Sequence, residues 1–223
     1  MYKRLRSYTV IRDRICLLDY APGSRLSEEQ LAREWRVSRT PVRRVLARLE
    51  SEGLVESRHG VGTMVTDVDF DTMTQVYRLR VELATLIGRL DPVVPRPDDI
   101  ASMRDLLRRC DALAEAPDPK QFARLNMDFF QQFAAMIGNR PLREISELLY
   151  YRTARIWQAA VPNLDIDDEI AIFRREIAEI VTAMEAGDLN GVGIIRRRHI
   201  SMSLERLVGY APRAAGRRGV GET

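Results

Sequence analysis

The chain has 223 residues, a length that suits one large domain or two of modest size. Its hydrophobic content of 45% is enough for a real core and argues against disorder as the default state. The formal net charge of +3 is unevenly distributed: residues 1–66 hold 13 Lys and Arg against 8 Asp and Glu, residues 67–195 hold 15 against 22, and residues 196–223 hold 7 against 2. A basic N-terminal domain followed by an acidic domain suits a protein in which the first domain binds a polyphosphate chain and the second does not.

The sequence gives little support for a protein that depends on disulfides or a cysteine-bound metal, for a secreted or membrane protein, or for an enzyme. Cys16 and Cys110 lie far apart within helical patterns, so we expect reduced, buried thiols. The apolar N-terminal run is interrupted at residues 12–14 by Arg, Asp and Arg, which predicts neither a signal peptide nor a membrane span, and we expect a cytoplasmic protein. The sequence has two histidines and no nucleophile–base arrangement, glycine-rich phosphate loop or ligand cluster, so an enzyme is not expected.

Residues 27–41 carry the signals of two short helices joined by a tight turn. Ser27 with Gln30 forms a capping box, in which a hydroxyl and an amide each satisfy an orphan backbone N–H at a helix start. Ser38 is a second N-cap candidate, and Pro41 falls in the first turn of the next helix, where its missing N–H costs little. This arrangement predicts a helix-turn-helix.

The second of these helices has two different faces. One is an apolar stripe with the spacing i, i+3, i+4 and i+7, made of Val42, Val45, Leu46 and Leu49. The first turn and the opposite face carry side chains that cannot be buried together: Arg39, Thr40, Arg43, Arg44 and Arg48. A recognition helix needs this distribution, because its N-terminal residues meet base edges while the rest lies along phosphates.

A helix stop and a hairpin follow. Gly53 ends the helix, and the β-prone segments 55–57 and 63–66 flank a glycine-bearing turn at residues 58–62. Such a hairpin is the wing of a winged helix. The alternative is an arginine-rich solvated helix on an unrelated domain, which would require caps, stripe, stop and hairpin to coincide by chance.

Three segments resemble the N-terminal signature of the GntR family of bacterial transcription regulators, namely residues 22–28, 37–43 and 52–55, within a match over roughly residues 8–66. The resemblance implies that the recognition helix contacts an operator and that His59 and Gly60 reach into the minor groove. Arg44 is a departure, because the family very often has Glu at that position. The candidate DNA-binding residues are Ser38, Arg39, Thr40, Arg43, Arg44, Arg58, His59 and Gly60.

Beyond an acidic joint at residues 67–71, strand signals disappear and helical periods follow one another. Caps and stops predict six helices, at about residues 71–90, 97–114, 118–138, 141–160, 165–186 and 188–208. Short joints between helices predict an antiparallel bundle. The predicted fold is mostly α: a winged helix-turn-helix domain at 1–66, a six-helix effector and dimerisation domain at 67–210, and a small, Gly-rich, basic and disordered tail at 211–223.

The helical part resembles, more loosely, the FCD effector domain found in the FadR branch of that family. The resemblance rests on scattered motifs: Arg78 with Val81-Glu82, Asn126 to Phe130 followed by Gly138-Asn139, and Gly187-Asp188 with His199. It implies a cavity inside the bundle that binds a small effector.

Many FCD domains hold a divalent metal through an Asp or Asn, a His four residues later and one His from each of the last two helices. In this chain those positions read Asn126, Phe130, Ile177 and His199. Apolar groups replace two of the three imidazoles, and a single amide oxygen with a single imidazole binds a first-row metal poorly. We therefore expect neither a metal nor another cofactor.

What remains is a cavity with an apolar patch, a lone histidine and cations that could meet an anion. The candidate effector-pocket residues are Arg78, Asn126, Phe130, Arg174 and His199. Structural roles stay open for three of them: His199 as an ordinary core or surface histidine, Arg174 as an exposed side chain, and Phe130 as part of the core.

The sequence thus predicts a ligand-responsive transcription regulator that acts as a repressor and senses a small organic acid. One winged helix reads only a few base pairs, so we expect a homodimer, formed mainly through the helical domain, on a short inverted repeat in double-stranded DNA. We expect no membrane partner. The alternative is a ligand-free architectural or constitutive DNA-binding dimer.

Overall fold

The computed structural model describes residues 2–67, 70–160 and 164–210, so the predicted tail at 211–223 lies outside the described residues. In chain order the described elements are α1 Tyr2–Cys16, β1 Arg25–Leu26, α2 Glu28–Trp35, α3 Arg39–Ser51, β2 Val55–Arg58, β3 Gly62–Val65, α4 Phe70–Leu86, α5 Pro97–Glu115, α6 Pro119–Ala134, α7 Arg140–Ala160, α8 Ile166–Glu185 and α9 Leu189–Tyr210. The protein is mostly helical, as the sequence predicts.

The helix-turn-helix lies where its capping signals place it. The Ser27 hydroxyl accepts from the backbone N–H of Gln30 at 3.3 Å, which is the first half of the predicted capping box. Ser38 precedes α3 in extended backbone, but its side chain makes no capping bond. Gly53 follows the helix with a φ of 76°, the left-handed conformation that a glycine adopts without strain.

The wing is the predicted hairpin with one additional strand. Strands β2 and β3 pair antiparallel, with Val55 opposite Val65 and Arg58 opposite Gly62. The two-residue β1 pairs with the other edge of β3, which gives the sheet order β1-β3-β2. The sequence analysis missed β1 because two residues are too few to show an alternating pattern.

The six helices α4–α9 form the predicted bundle around a core whose largest fully buried side chains include Phe129, Phe133, Ile177 and Ile180. Helix α4 packs along α9 and α7, and α5 packs along α8. A Cβ on Gly88 would come within 1.9 Å of the Leu189 carbonyl oxygen, so only glycine permits this close approach of α9 to the end of α4. None of the described helices is long and apolar enough to cross a membrane.

A second apolar cluster joins the winged helix to the bundle. It combines Ile11 and Ile15 of α1 and the apolar stripe of α3 with side chains of α6 and α7, among them Phe130, Tyr150 and Tyr151. The two parts of the chain therefore share a buried surface, and α1 and α7 lie on its two sides.

Candidate nucleic-acid interface and effector cavity

The first candidate site is the exposed face of α3 with the tip of the wing. The predicted stripe is buried, with Val42 and Leu49 fully inaccessible, while the predicted polar residues Ser38, Arg39, Thr40, Arg43 and Arg44 are exposed. Arg58, His59 and Gly60 are exposed at the wing tip, where Gly60 has a φ of 74° and open space around it. A basic helix face and a protruding turn are thus presented together, the arrangement that a winged helix offers to duplex DNA.

Two glutamates of α2 reach the arginines of this face. Arg43 donates from Nε to Glu28 Oε2 at 2.7 Å, and Arg39 Nη2 lies 3.5 Å from Glu29 Oε2. Further along α3, Arg48 donates to Glu52 at 2.9 Å and stacks 3.7 Å from the centre of the Tyr8 ring. Arg43 is therefore held by a hydrogen bond from α2, Arg39 makes only a longer ion-pair contact with α2, and Arg48 is held against α1.

The second candidate site is a cavity inside the helical domain that is partly open to solvent. Helices α4, α6, α7, α8 and α9 line it, and Cys16 of α1 completes the wall from the winged-helix side. Burial raises the pKa of the Cys16 thiol to about 12, so this thiol is uncharged at neutral pH. The wall of the cavity therefore includes one residue from the N-terminal part of the chain.

Arg80 is the unusual charge in this cavity. Its side chain is buried, it donates from Nη1 to Thr153 Oγ1 at 2.6 Å, and its guanidinium carbon lies 4.9 Å from the Tyr77 ring and 5.4 Å from the Tyr150 ring. Among the described residues no carboxylate lies within ion-pair distance of it. Burial lowers the pKa of the Arg80 guanidinium, and the nearby positive Arg196 lowers this pKa further.

The other two arginines of the cavity are paired. Arg196 binds Glu176 in an ion pair in which both side chains are only 7% exposed. Arg206 makes a two-pronged contact with Glu169, at 2.6 Å from Nε and 2.9 Å from Nη2. Three guanidinium groups thus face two carboxylates, which leaves one positive charge without a counter-ion. A buried, unpaired charge is costly, so the cavity favours an anion.

Two of the predicted pocket residues, Asn126 and His199, line this cavity. Asn126 Oδ1 accepts from the Tyr150 hydroxyl at 3.0 Å. His199 is 3% exposed, its Nε2 lies 3.2 Å from Glu179 Oε2, and its buried Nδ1 has no hydrogen-bond partner in the part of the chain that the structure describes. The wall therefore contains one ring nitrogen whose hydrogen-bonding capacity is unused.

Three predicted pocket residues lie elsewhere. Arg78 is exposed, because α4 turns Tyr77 and Arg80 inward and places position 78 on the outer face. Arg174 is also exposed and pairs with Asp111 of α5. Phe130 does not line the main cavity: its ring stacks at 3.7 Å on Tyr150 within the cluster between the domains.

The sequence analysis did not predict four of the polar residues that line the cavity, although their spacing in the sequence indicates them. Arg196, Ser203 and Arg206 share a helix face with His199, at spacings of three, four and three residues. Arg80 falls between Tyr77 and Ala84 on the inward stripe of α4, at a position where the pattern asks for an apolar side chain. A charged residue in an apolar stripe is a candidate ligand-binding group.

The donor set does not fit the divalent metal that many FCD domains hold. Phe130 is turned away, Ile177 is fully buried in the core, and the Nε2 of His199 faces Glu179. In the described part of the chain no three His, Cys, Asp or Glu side chains are grouped as metal ligands. Asn126 and His199 alone are a poor set for a first-row metal.

Several polar and stacking contacts between the domains involve α7. Arg152 donates from Nε to the carbonyl oxygen of Glu52, the C-cap residue of α3, at 2.8 Å. Arg155 donates to the carbonyl and hydroxyl oxygens of Thr66, each at 2.7 Å. Arg12 of α1 stacks 3.7 Å from the centre of the Tyr151 ring. Helix α7 therefore contacts the end of the recognition helix, the end of the wing and α1.

Comparison with known proteins identifies both parts. The family model "Bacterial regulatory proteins, gntR family" matches residues 4–65, and the model "FCD domain" matches residues 75–202. An uncharacterized HTH-type transcriptional regulator of Streptomyces ambofaciens is 29% identical over 92% of this chain and 86% of its own length. A match to the uncharacterized HTH-type regulator YdhC of Bacillus subtilis, at 25% identity, covers 64% of each chain.

The fold also occurs among solved structures. Escherichia coli McbR/YncC superposes with a TM-score of 0.79 over 93% of this chain and 97% of that chain, at 21% sequence identity. At this identity the likeness concerns the fold.

Proposed function

Because the chain belongs to the GntR family of bacterial transcription regulators and carries an FCD effector domain, we propose that it is a repressor that releases its operator in response to a small organic acid. The observation that carries the proposal is Arg80, a buried guanidinium with no carboxylate partner in the described residues, in a cavity whose wall includes the DNA-binding domain. An anion that pairs with Arg80 removes an unfavourable buried charge.

The charges of the cavity narrow the class of effector. One unpaired guanidinium calls for one carboxylate, so a monocarboxylate fits better than a dicarboxylate. The wall also offers hydroxyl and amide groups and the free Nδ1 of His199, which suit hydroxyl substituents on the acid. The residues that we assign to the effector pocket are Arg80, Asn126, Thr153, Arg196 and His199. This binding requires no metal.

DNA binding is assigned to the exposed face of α3 and to the wing tip. Ser38, Arg39, Thr40, Arg43 and Arg44 meet the major groove, and Arg58, His59 and Gly60 meet the minor groove beside it. The basic excess of residues 1–66 supplies attraction to phosphates. A two-fold pair of such units reads an inverted repeat.

Helix α7 carries the response from the cavity to the DNA-binding domain. Its Thr153 accepts from Arg80, and the neighbouring Arg152 holds the C-cap carbonyl of the recognition helix. An anion that draws Arg80 away from Thr153 therefore changes the contacts of a residue whose neighbour, Arg152, binds α3. A ligand changes operator affinity only if it binds two arrangements of the protein with different affinity, and this contact distinguishes them.

A thermal-shift screen tests the proposal. We expect small monocarboxylates to raise the melting temperature and dicarboxylates to raise it less; at a hundred times the dissociation constant, linkage adds about 2.7 kcal/mol. For a chain of this length that is roughly 5–11 °C. The best acid should also release protein from a duplex that the protein selects from a randomised library. No stabilisation by any carboxylate would instead favour a ligand-free architectural DNA-binding dimer, and a response only with added metal would contradict metal-free binding.

A second experiment tests the dimer. Helix α4 and the residues after it present an apolar stripe to solvent, with Leu79 at 48% exposed and Leu90 at 41%, and Leu83 and Leu86 half-buried between them. Two copies of this stripe would bury one another. We expect Leu79→Glu to yield a monomer at micromolar concentration by light scattering, where the wild type is a dimer, and to lose affinity for the inverted repeat.

The control for the dimer test is Val94→Glu, which places the same charge on an apolar side chain that is 73% exposed in the loop before α5. This variant should remain dimeric. A monomeric wild type, or a dimeric Leu79→Glu protein, would contradict the assignment of the α4 stripe.

A further inference from the structure

The bond between Glu28 and Arg43 joins the two helices of the helix-turn-helix at the point where α3 presents its reading face. Glu28 is the first residue of α2, and Arg43 lies in the second turn of α3 with its side chain 65% exposed. The hydrogen bond runs from Arg43 Nε to Glu28 Oε2 at 2.7 Å. It fixes the guanidinium from the side rather than from its end.

This choice of atom leaves the reading end of the arginine available. The terminal nitrogens Nη1 and Nη2 of Arg43 have no hydrogen-bond partner among the described residues. An end-on arginine presents these two nitrogens to O6 and N7 of guanine, the commonest base-specific contact in the major groove. With Nε engaged by Glu28, the end-on approach is the two-pronged contact that remains.

The neighbouring pair has the opposite geometry. Glu29 contacts Arg39 at a terminal nitrogen, Nη2, over a longer distance of 3.5 Å, and both side chains are more than half exposed. That contact occupies an atom that DNA would need, and a solvent-exposed pair of this length orders its partners weakly. Glu29 thus carries the same charge as Glu28 in the same turn of α2, but it does not leave both terminal nitrogens of its arginine available.

We propose that Glu28 is a positioning residue that sets Arg43 for end-on reading of a guanine and thereby raises the preference for the operator over other DNA. The inference rests on the proposed function, because it assumes that Arg43 meets a base edge. The physical basis is that ordering a long side chain at an interface costs free energy. Because Glu28 already orders Arg43 in the free protein, less of this cost remains when DNA binds. As a negative charge near phosphates, Glu28 also weakens binding to every duplex alike.

The test compares Glu28→Ala, Glu28→Gln and the control Glu29→Ala in the full-length protein. Affinities are measured by fluorescence anisotropy for a duplex that the wild type selects from a randomised library and for a scrambled duplex of the same composition. We expect Glu28→Ala to bind scrambled DNA more tightly while the ratio of selected to scrambled affinity falls about 2- to 13-fold per recognition helix, the equivalent of about 0.5–1.5 kcal/mol of side-chain ordering.

The other variants separate the effect of positioning Arg43 from the effect of removing a negative charge near the DNA. Glu28→Gln keeps an oxygen that accepts from Arg43 Nε, so it should retain the ratio, and Glu29→Ala should raise both affinities without lowering the ratio. An unchanged ratio in Glu28→Ala, or an equal loss in Glu28→Gln, would overturn the proposal. Arg43→Ala is measured alongside: if it lowers both affinities equally, base reading by Arg43 itself fails, whereas a ratio lost in Arg43→Ala but kept in Glu28→Ala rejects only the role of Glu28.

Discussion

Arg80→Met should abolish the response to the organic acid while leaving the protein folded. Removal of one partner from a buried, hydrogen-bonded charge pair costs about 2–5 kcal/mol, so we expect the affinity for the best monocarboxylate to fall at least about 30-fold. The thermal shift produced by that acid should disappear, and the acid should no longer release the selected duplex. Methionine is chosen because its length and apolar character fill the space between Tyr77 and Tyr150.

The stability of the Arg80→Met protein without ligand provides an independent check. Burial lowers the pKa of Arg80, which means that its charged form is less favourable in the folded protein than in the unfolded chain. The folded state therefore bears a cost at every pH below this lowered pKa, and methionine removes the cost. We expect an equal or higher melting temperature for the ligand-free variant.

The control for Arg80 is Arg78→Met, on the same helix and two residues earlier. Arg78 is exposed, so its replacement should leave acid binding and DNA release unchanged. If Arg78→Met removed the response and Arg80→Met did not, the effector would bind outside the cavity, and the assignment of the cavity would be wrong.

The contrast between these two arginines shows where sequence reasoning ends. The winged helix was predictable because its signals are local: the Ser27 cap, the apolar stripe of α3 and the turn at Gly53 lie within one element or at its end. Each of these features determines the backbone around it. The number and order of the helices in the second domain follow from the same kind of signal.

The wall of the cavity depends on how helices are rotated against one another, and this information is not local. Arg78 and Arg80 differ by about 200° around α4, and only its packing against α7 and α9 determines which of them faces Thr153. Arg174 shares a helix with the cavity residue Phe173 but points to Asp111 on α5. Asn126 and His199, which line the cavity, were selected from family motifs rather than from helix periodicity.

Helix α7 connects the cavity with the recognition helix α3. Thr153 also donates to the backbone carbonyl oxygens of Leu149 and Tyr150, at 3.0 and 2.8 Å, so its hydroxyl is tied to the preceding turn of the same helix. On the other side of α7, Arg152 reaches Glu52 beside Gly53, where a Cβ would stand 3.4 Å from the Arg152 Nε. Adjacent residues of α7 thus contact Arg80 and the end of the recognition helix.

Arg152→Ala should therefore separate effector binding from the response. A coupling of about 1–3 kcal/mol is typical of allosteric proteins and would change operator affinity about 5- to 150-fold on addition of the acid. In the variant we expect this factor to fall towards one, while the thermal shift caused by the acid is unchanged because the cavity is intact. The melting temperature of the ligand-free protein should fall modestly, since a cationic group near a helix C-terminus contributes about 0.3–1 kcal/mol to stability.

Arg143→Ala is the matched control, because Arg143 lies on the same helix with its side chain exposed. It should retain both acid binding and the full change in operator affinity. If Arg152→Ala also retained the full change, the signal would have to leave α7 by another route, of which the hydrogen bonds from Arg155 to Thr66 at the end of the wing are the alternative. Because reciprocity requires that DNA alter acid affinity by the same factor, isothermal titration of the acid into protein with and without the selected duplex measures the loss of coupling a second way.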